Sequence, residues 1–145
     1  MIELPAYIVE LDRTLIDALL AGEDTMLQAL RGQYAKAVIS RHDFTGVGFF
    51  THFTVGPDVP RINPHNFDIG DISLDIVGVD SGVMANLAIR EGVIDYLEVI
   101  TYADDWPENP VLRSISYQSY KPGAPSIFMP LQTRNLDVVR KAWAG

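Results

Sequence analysis

The sequence predicts an α+β domain in which N-terminal helices pack on a curved antiparallel meander sheet of about five or six strands, followed by a short C-terminal helix. Three observations predict this class. Residues 8–37 carry apolar residues at helical spacing, and residues 71–102 hold three apolar-rich runs separated by short turn sequences. The chain has 145 residues, which is long enough to bury one core without disulfide or metal staples.

The helical region is interrupted near Gly22. Asp12 or Thr14 is placed to cap a first helix and Gly22 to end it, because short polar side chains accept the first N–H groups of a helix and glycine suits its C-terminus. Asp24 is placed to cap a second helix. The core-facing stripe of that second helix is predicted at Leu27, Leu30, Tyr34 and Ala37.

Residues 38–39 and 49–55 have strand character, and Gly46 and Gly48 lie between them. The two glycines fit a hairpin turn, a bulge in one long strand, or a backbone that a ligand approaches. They are not a dinucleotide-binding fingerprint, because no third glycine follows to open a helix. Residues 56–68 are rich in proline and asparagine and predict an ordered surface loop.

The runs 71–79, 83–90 and 93–102 predict a three-stranded meander. If Glu91-Gly92 forms a two-residue loop, side-chain alternation places Glu98 opposite Ala85 on an otherwise apolar face. An ionised carboxylate on such a face is costly unless it is paired or hydrated. Glu98 is therefore the leading candidate functional residue, with space for a ligand beside the small Ala85. The alternative is that Glu98 pairs with an arginine or a tyrosine hydroxyl, or lies near the open end of the sheet.

His42 and His52 bracket the glycines, so a hairpin would bring them together near Asp43. A histidine beside Glu98 suits general acid–base chemistry, and the candidate catalytic residues are Glu98, His42 and His52. No metal or other cofactor is predicted, because the histidines lack a metal-binding spacing. The candidate pocket or binding residues are Ala85, Tyr96, Tyr102, Phe50 and Trp106.

The last third of the chain predicts a strand at 111–120, a turn at 121–125, a short extended piece at 127–129 and a helix at about 136–143. Its charge differs from the rest. Residues 1–110 carry 6 basic and 18 acidic side chains, whereas residues 111–145 carry 5 basic and 1 acidic. We expect a single domain, 1–145, in which a basic extension (111–145) docks on an acidic body (1–110) of its own or a neighbouring subunit; a chance skew is the alternative.

Composition argues against several classes of protein. A net charge of −8 disfavours nucleic acid as a partner, because phosphate binding needs clustered Lys and Arg. The absence of cysteine excludes disulfide frameworks and thiolate zinc sites. No apolar run approaches the roughly 20 residues of a membrane helix, and the N-terminus lacks the pattern of a signal peptide. The expected location is the cytoplasm, away from membranes.

Three segments, residues 43–51, 97–102 and 105–108, together resemble a group of small bacterial proteins with the pattern FTGVGFFT…LEGYTY…WP. The resemblance spans about residues 10–108, and Val99-Ile100 replaces the Gly-Tyr of the pattern. No activity is established for the group. The resemblance therefore implies a compact bacterial cytosolic domain and implies no mechanism.

Two functions follow as hypotheses. In the first, a non-enzymatic binding protein recognises a protein partner, such as a basic toxin that it neutralises, through surface acids that include Asp71, Asp75 and Asp95. In the second, a small enzyme or ligand carrier uses a pocket at Glu98 for proton-transfer or hydrolytic chemistry on a small molecule. A homodimer is a further expectation.

Overall fold

The computed structural model describes residues 4–120, 128–131, 134 and 136, with the backbone alone for 118–120 and 128–131. Helices α1 and α2 come first, and seven strands follow, pairing antiparallel in the order β1-β2-β5-β4-β3-β6-β7. The predicted α+β class is confirmed, with six longer strands and the four-residue β7. The elements are α1 (Ala6–Leu19), α2 (Thr25–Lys36), β1 (Val38–Phe44), β2 (Gly48–Thr54), β3 (Phe67–Ile76), β4 (Val83–Arg90), β5 (Val93–Thr101), β6 (Leu112–Tyr120) and β7 (Phe128–Leu131).

The two helices begin differently from each other. α1 starts directly after Pro5, so Asp12 and Thr14 lie inside the helix and their predicted capping role is wrong. The Thr14 hydroxyl instead donates to the Glu10 carbonyl oxygen one turn earlier, at 2.9 Å. Asp24 caps α2 as predicted, because its Oδ1 accepts from the backbone N–H of Met26 at 2.9 Å and from the next N–H at 3.3 Å.

The core lies between the helices and one face of the sheet. α1 presents fully buried leucines and an isoleucine, and the strands present alternate apolar residues to the same layer, as expected for a sheet covered on one side. The largest fully buried side chains are Phe49, Leu15, Ile16, Leu19, Leu20, Leu27, Leu30, Ile69, Ile72, Ile76, Leu87 and Ile89.

Two glycines shape the hairpin that joins β1 to β2. Gly46 occupies the turn with φ of +88°, a conformation that other residues adopt only with strain. A Cβ atom on Gly48 would lie 1.8 Å from the carbonyl oxygen of Val99, so glycine is required there by the close approach of β5. The hairpin is thus the correct alternative, and strand backbone, not a ligand, explains Gly48.

Over residues 72–74, the pairing of β3 with β4 differs from the predicted register by an even number of residues, whereas residues 67–69, before an irregularity in the pairing, differ by an odd number. Ile72 lies opposite Ala85, whereas a two-residue loop at Asp80-Ser81 would place Ile76 there, because the connection spans residues 77–82. An even shift keeps each side chain on its predicted face. Ile72, Leu74 and Ile76 are accordingly buried as predicted.

The last third of the chain joins the sheet through β6, which pairs with β3, and β7 pairs with β6. Arg134 forms two hydrogen bonds of 2.8 Å with the carboxylate of Asp71 on β3. The predicted turn at 121–125 and the predicted terminal helix, apart from Leu136, lie outside the described residues. The division into acidic body and docked basic extension stays a prediction.

Candidate functional site

Glu98 does not lie opposite Ala85. The β4–β5 pairing begins in the predicted register, but one extra residue on β5, Asp95, forms a bulge between the Ile89 and Ala88 pairs. Beyond the bulge, Glu98 lies opposite Asn86, and Ala85 lies opposite Val99. The predicted face is therefore wrong, because a one-residue shift turns each later side chain of the strand to the other side of the sheet.

The observed position of Glu98 is on the face away from the helices. It is half-buried between Asn86 on β4 and Phe50 on β2. Ala85, in contrast, is fully buried in the core. The apolar face, on which Glu98 was predicted to act as a catalytic residue, is therefore on the opposite side of the sheet from Glu98.

His42 and His52 lie on opposite faces. His42 pairs with Thr51 and stacks on Phe49 in the core layer, with ring centroids 5.0 Å apart. His52 faces outward, with its Nε2 3.2 Å from Asp43 Oδ2. Partial burial lowers the pKa of His42 and favours the neutral ring. The sheet therefore separates two of the predicted catalytic residues from each other.

An aromatic cluster occupies the outward face around His52. Phe50 and Tyr96 contact each other at 5.6 Å between ring centroids, and His52 lies 6.1 and 5.8 Å from them. Ion pairs border the cluster, with Arg90 Nη1 2.7 Å from Asp68 Oδ1 on one side and Asp43 on the other. The arginines that border the cluster are thus each paired with a nearby aspartate.

Two of the acids proposed for partner binding are also paired. Asp71 is nearly buried against Arg134, and Asp75 Oδ1 lies 3.1 Å from Arg113 Nη2. Asp95 is half-buried in the bulge of β5. These carboxylates are therefore less accessible to a basic partner than the sequence suggested.

Asp12 is a buried titratable residue that the sequence reasoning assigned to a helix cap. Its side chain is 1% exposed, and its Oδ2 accepts from the Thr51 hydroxyl at 2.9 Å. Its Oδ1 is buried and has no hydrogen-bond partner among the described residues. Burial raises the pKa of Asp12 to about 7, against the opposing effect of the Thr51 hydrogen bond.

The loops at one end of the sheet form a continuous surface, which we call the acidic loop end and define as residues 44–47, 77–82 and 102–111. Backbone hydrogen bonds join them. Trp106 N–H donates to the Gly46 carbonyl at 2.9 Å, Tyr102 N–H to Gly82 at 3.1 Å, and Val77 N–H to Val111 at 2.9 Å. The Asp104 carboxylate also accepts from the N–H and hydroxyl of Ser81 at 2.9 and 2.5 Å.

The acidic loop end combines exposed apolar groups with negative charge. It contains five of the seven exposed large hydrophobic side chains of the described residues, with exposed fractions from 38% to 63%. It carries four carboxylates and no Lys, Arg or His. Hydrogen bonds from Ser81 lower the pKa of Asp104, which keeps it ionised. The apolar residues are Phe44, Val47, Val77, Tyr102 and Val111, and the acids are Asp80, Asp104, Asp105 and Glu108.

Two predicted binding residues lie in this surface. Tyr102 is 63% exposed, whereas Trp106 is partly buried with its ring edge-on to Phe49, at 5.4 Å between centroids. Trp106 thus attaches the 102–111 loop to the core through Phe49. The three segments that carry the sequence resemblance, 43–51, 97–102 and 105–108, also meet here.

Comparisons with protein-family models, curated proteins and solved structures found no match to this chain. In the part of the chain that the structure describes, no group of three or more His, Asp or Glu side chains is placed to hold a metal ion. Within the same residues, neither helix has the length and apolar character needed to cross a bilayer.

Proposed function

We propose that this protein is a small cytoplasmic, non-enzymatic protein that binds a basic protein partner through the acidic loop end. The observation that carries the proposal is the concentration of exposed apolar side chains on loops whose own residues include four acids and no Lys, Arg or His. Exposed apolar patches bordered by charge are typical of interaction surfaces. A basic toxin that the protein neutralises belongs to the class of partner proposed.

The two kinds of group have separate roles. Burial of Phe44, Tyr102 and Val111 against a partner supplies affinity, because water leaves apolar surface on both sides. The carboxylates favour partners that place Lys or Arg around that contact and speed their approach. The hydrogen bonds between the loops hold the surface in one arrangement, which reduces the entropy lost on binding.

The alternative, an enzyme or carrier with a pocket at Glu98, has less support. Such a pocket requires a carboxylate within an apolar wall, and the bulge at Asp95 places Glu98 on the outward face of the sheet. The homodimer also stays a prediction, for which the edge strand β1 is one available surface among the described strands.

The proposal is tested by selecting random peptides of about 12 residues for binding to the immobilised protein. We expect the selected peptides to combine Lys or Arg with aromatic or aliphatic residues. Their affinity should fall about tenfold in the triple variant Asp80→Asn, Asp105→Asn, Glu108→Gln, since each exposed charge pair contributes about 0.5 kcal/mol. Fluorescence anisotropy at low and high salt measures the affinity, which should weaken with salt.

A matched control removes three exposed acids from other parts of the surface, through Glu10→Gln, Glu23→Gln and Asp58→Asn. It changes the net charge equally, so a general electrostatic effect would weaken both triple variants alike. The proposal is wrong if the two variants lose the same affinity, or if the selected peptides show no excess of basic residues.

A further inference from the structure

A second surface feature lies at the other end of the β1–β2 hairpin from the acidic loop end. It is a cleft of about 510 Å³ between α1, α2 and the strand segments that carry Ile39 and Phe53. This volume lies within the range of small-molecule sites in proteins. The cleft residues are Val9, Arg13, Asp17, Leu20, Arg31, Tyr34, Ala35, Ala37, Ile39 and Phe53.

The walls of the cleft are mostly apolar. Phe53 packs edge-on to the ring of Tyr34, with centroids 5.9 Å apart, and the aliphatic side chains of Leu20 and Ile39 contribute further apolar surface. Phe53 and Leu20 also belong to the core. The walls are therefore fixed by packing, and an apolar ligand would meet a preformed surface.

Two arginines give the cleft a local positive charge on a protein whose net charge is −8. The Arg31 Nη1 donates to the carbonyl oxygens of Leu20 and Gly22, the latter at 3.1 Å, which holds its guanidinium at the C-terminal end of α1. Its Nε and Nη2 have no hydrogen-bond partner within the described part of the chain.

Burial raises the pKa of the Tyr34 hydroxyl, and the positive charge of the nearby Arg13 opposes that rise. Arg13 forms no ion pair with the described residues. Among the described residues of the lining, Asp17 is the one acid, beside the two arginines. The cleft thus offers two guanidinium groups and a phenol beside apolar walls. Guanidinium groups bind carboxylates through paired, charge-assisted hydrogen bonds.

We propose that the cleft binds a small amphipathic carboxylate, with the carboxylate at Arg13 and Arg31 and the apolar part of the ligand along Leu20, Ile39 and Phe53. The charge favours an anion over an amine, and the apolar walls favour an aliphatic or aryl group over a purely polar acid. This site is independent of the acidic loop end, so either proposal can fail without the other.

Octanoate, octan-1-ol and octylamine are suitable probes, because they share one chain and differ in the head group. We expect calorimetric titration of the full chain to give a dissociation constant on the order of 100 µM for octanoate, as typical for a ligand of this size. The alcohol and the amine should bind at least tenfold more weakly. Equal binding of all three, or no octanoate binding at millimolar concentration, would overturn the proposal.

Two variants locate the binding. Arg13→Gln should weaken octanoate binding at least fivefold, whereas Arg113→Gln, at an exposed arginine of β6 away from the cleft lining, should change it less than twofold. Ala35→Trp fills the cleft from an exposed helical position and should abolish binding, and Ala29→Trp on the same helix is its control. Unchanged binding in Arg13→Gln and Ala35→Trp, with both variants folded by circular dichroism, would contradict the proposed site.

Discussion

At the scale of single residues, Asp12 is the group whose environment departs most from its ordinary one. A carboxyl group in the core is more stable protonated, since burial penalises the charged form. The pKa of about 7 in the folded protein lies far above 3.8, the ordinary value for an aspartate. A raised folded-state pKa contributes stability that is fully present below pH 3.8 and is lost as the pH rises through 7.

We therefore predict that Asp12→Asn is more stable than the wild type at pH 8, by about 2–4 kcal/mol, because a shift of about three pKa units corresponds to roughly 4 kcal/mol. Near pH 4 the difference should shrink to about 1 kcal/mol. Urea unfolding at the two pH values measures it. The comparison between the two proteins cancels the contribution of other groups, such as His42.

Asp17→Asn is the control, because Asp17 is exposed on the same helix, and its stability should follow the wild type at both pH values. A loss of stability in Asp12→Asn at pH 8 would show instead that the ionised carboxylate is paired in the folded protein.

The burial of Asp12 was accessible from the sequence, whereas the position of Glu98 was not. Asp12 precedes Ile16 by four residues and Leu19 by seven, so its spacing places it on the buried stripe of α1. Aspartate also favours helix N-caps, and this preference led to the incorrect prediction of a capping role. The bulge at Asp95 has no comparable signal. Side chains alternate between faces only while the pairing is uninterrupted, and one extra residue on a strand reverses the face of every residue beyond it.

At the scale of elements, Gln33 ties α2 to the sheet. Its side chain is 1% exposed, and its Nε2 donates to the carbonyl oxygens of Pro60 and Gly92 at 3.0 and 2.9 Å. Its Oε1 accepts from the N–H of Ile94 at 3.0 Å. One amide thus joins the helix, the 56–66 loop and the turn between β4 and β5.

We predict that Gln33→Met destabilises the fold by about 2–4 kcal/mol. The substitution keeps the volume but leaves the Ile94 N–H and the Pro60 carbonyl without a partner, and each buried unpaired group costs about 1–3 kcal/mol. Thermal and urea unfolding measure the loss. Gln28→Met, at an exposed position of the same helix, should stay within about 0.5 kcal/mol of the wild type. Equal stability of the two variants would mean that water replaces the lost bonds.

Most elements were predictable because each has a local signal. The Asp24 cap, the glycine hairpin and the alternating runs at 71–102 all depend on neighbouring residues, and the structure has them. The acidic loop end depends on pairing between distant strands, which brings residues 44–47, 77–82 and 102–111 to one end of the sheet. No local pattern indicated that their exposed apolar groups would lie together.

At the scale of the whole molecule, one ion pair joins both ends of the chain to the middle. Arg134 binds Asp71 on β3, donates to the Ala21 carbonyl at 2.8 Å just after α1, and lies over the Tyr117 ring at 5.4 Å. The side chains of Arg134 and Asp71 are only 6% and 12% exposed. Because a buried ion left without its partner is costly, the fold depends on both members being present.

The ion pair between Arg113 and Asp75 is an exposed counterpart for comparison, because Asp75 also lies on β3 and the two side chains are 58% and 51% exposed. We predict that Arg134→Met costs about 3–5 kcal/mol and that the double variant with Asp71→Asn recovers part of this loss, giving a coupling energy of about 1–3 kcal/mol. The cycle of Arg113→Met with Asp75→Asn should give less than about 1 kcal/mol. Urea unfolding of the variants in about 0.1 M and 1 M salt measures both coupling energies. High salt should reduce the coupling energy of the exposed pair, which it screens, and should leave that of the buried pair nearly unchanged.

Equal coupling energies in the two cycles would show that Arg134 reaches solvent and that the last third of the chain is held by β6 pairing alone.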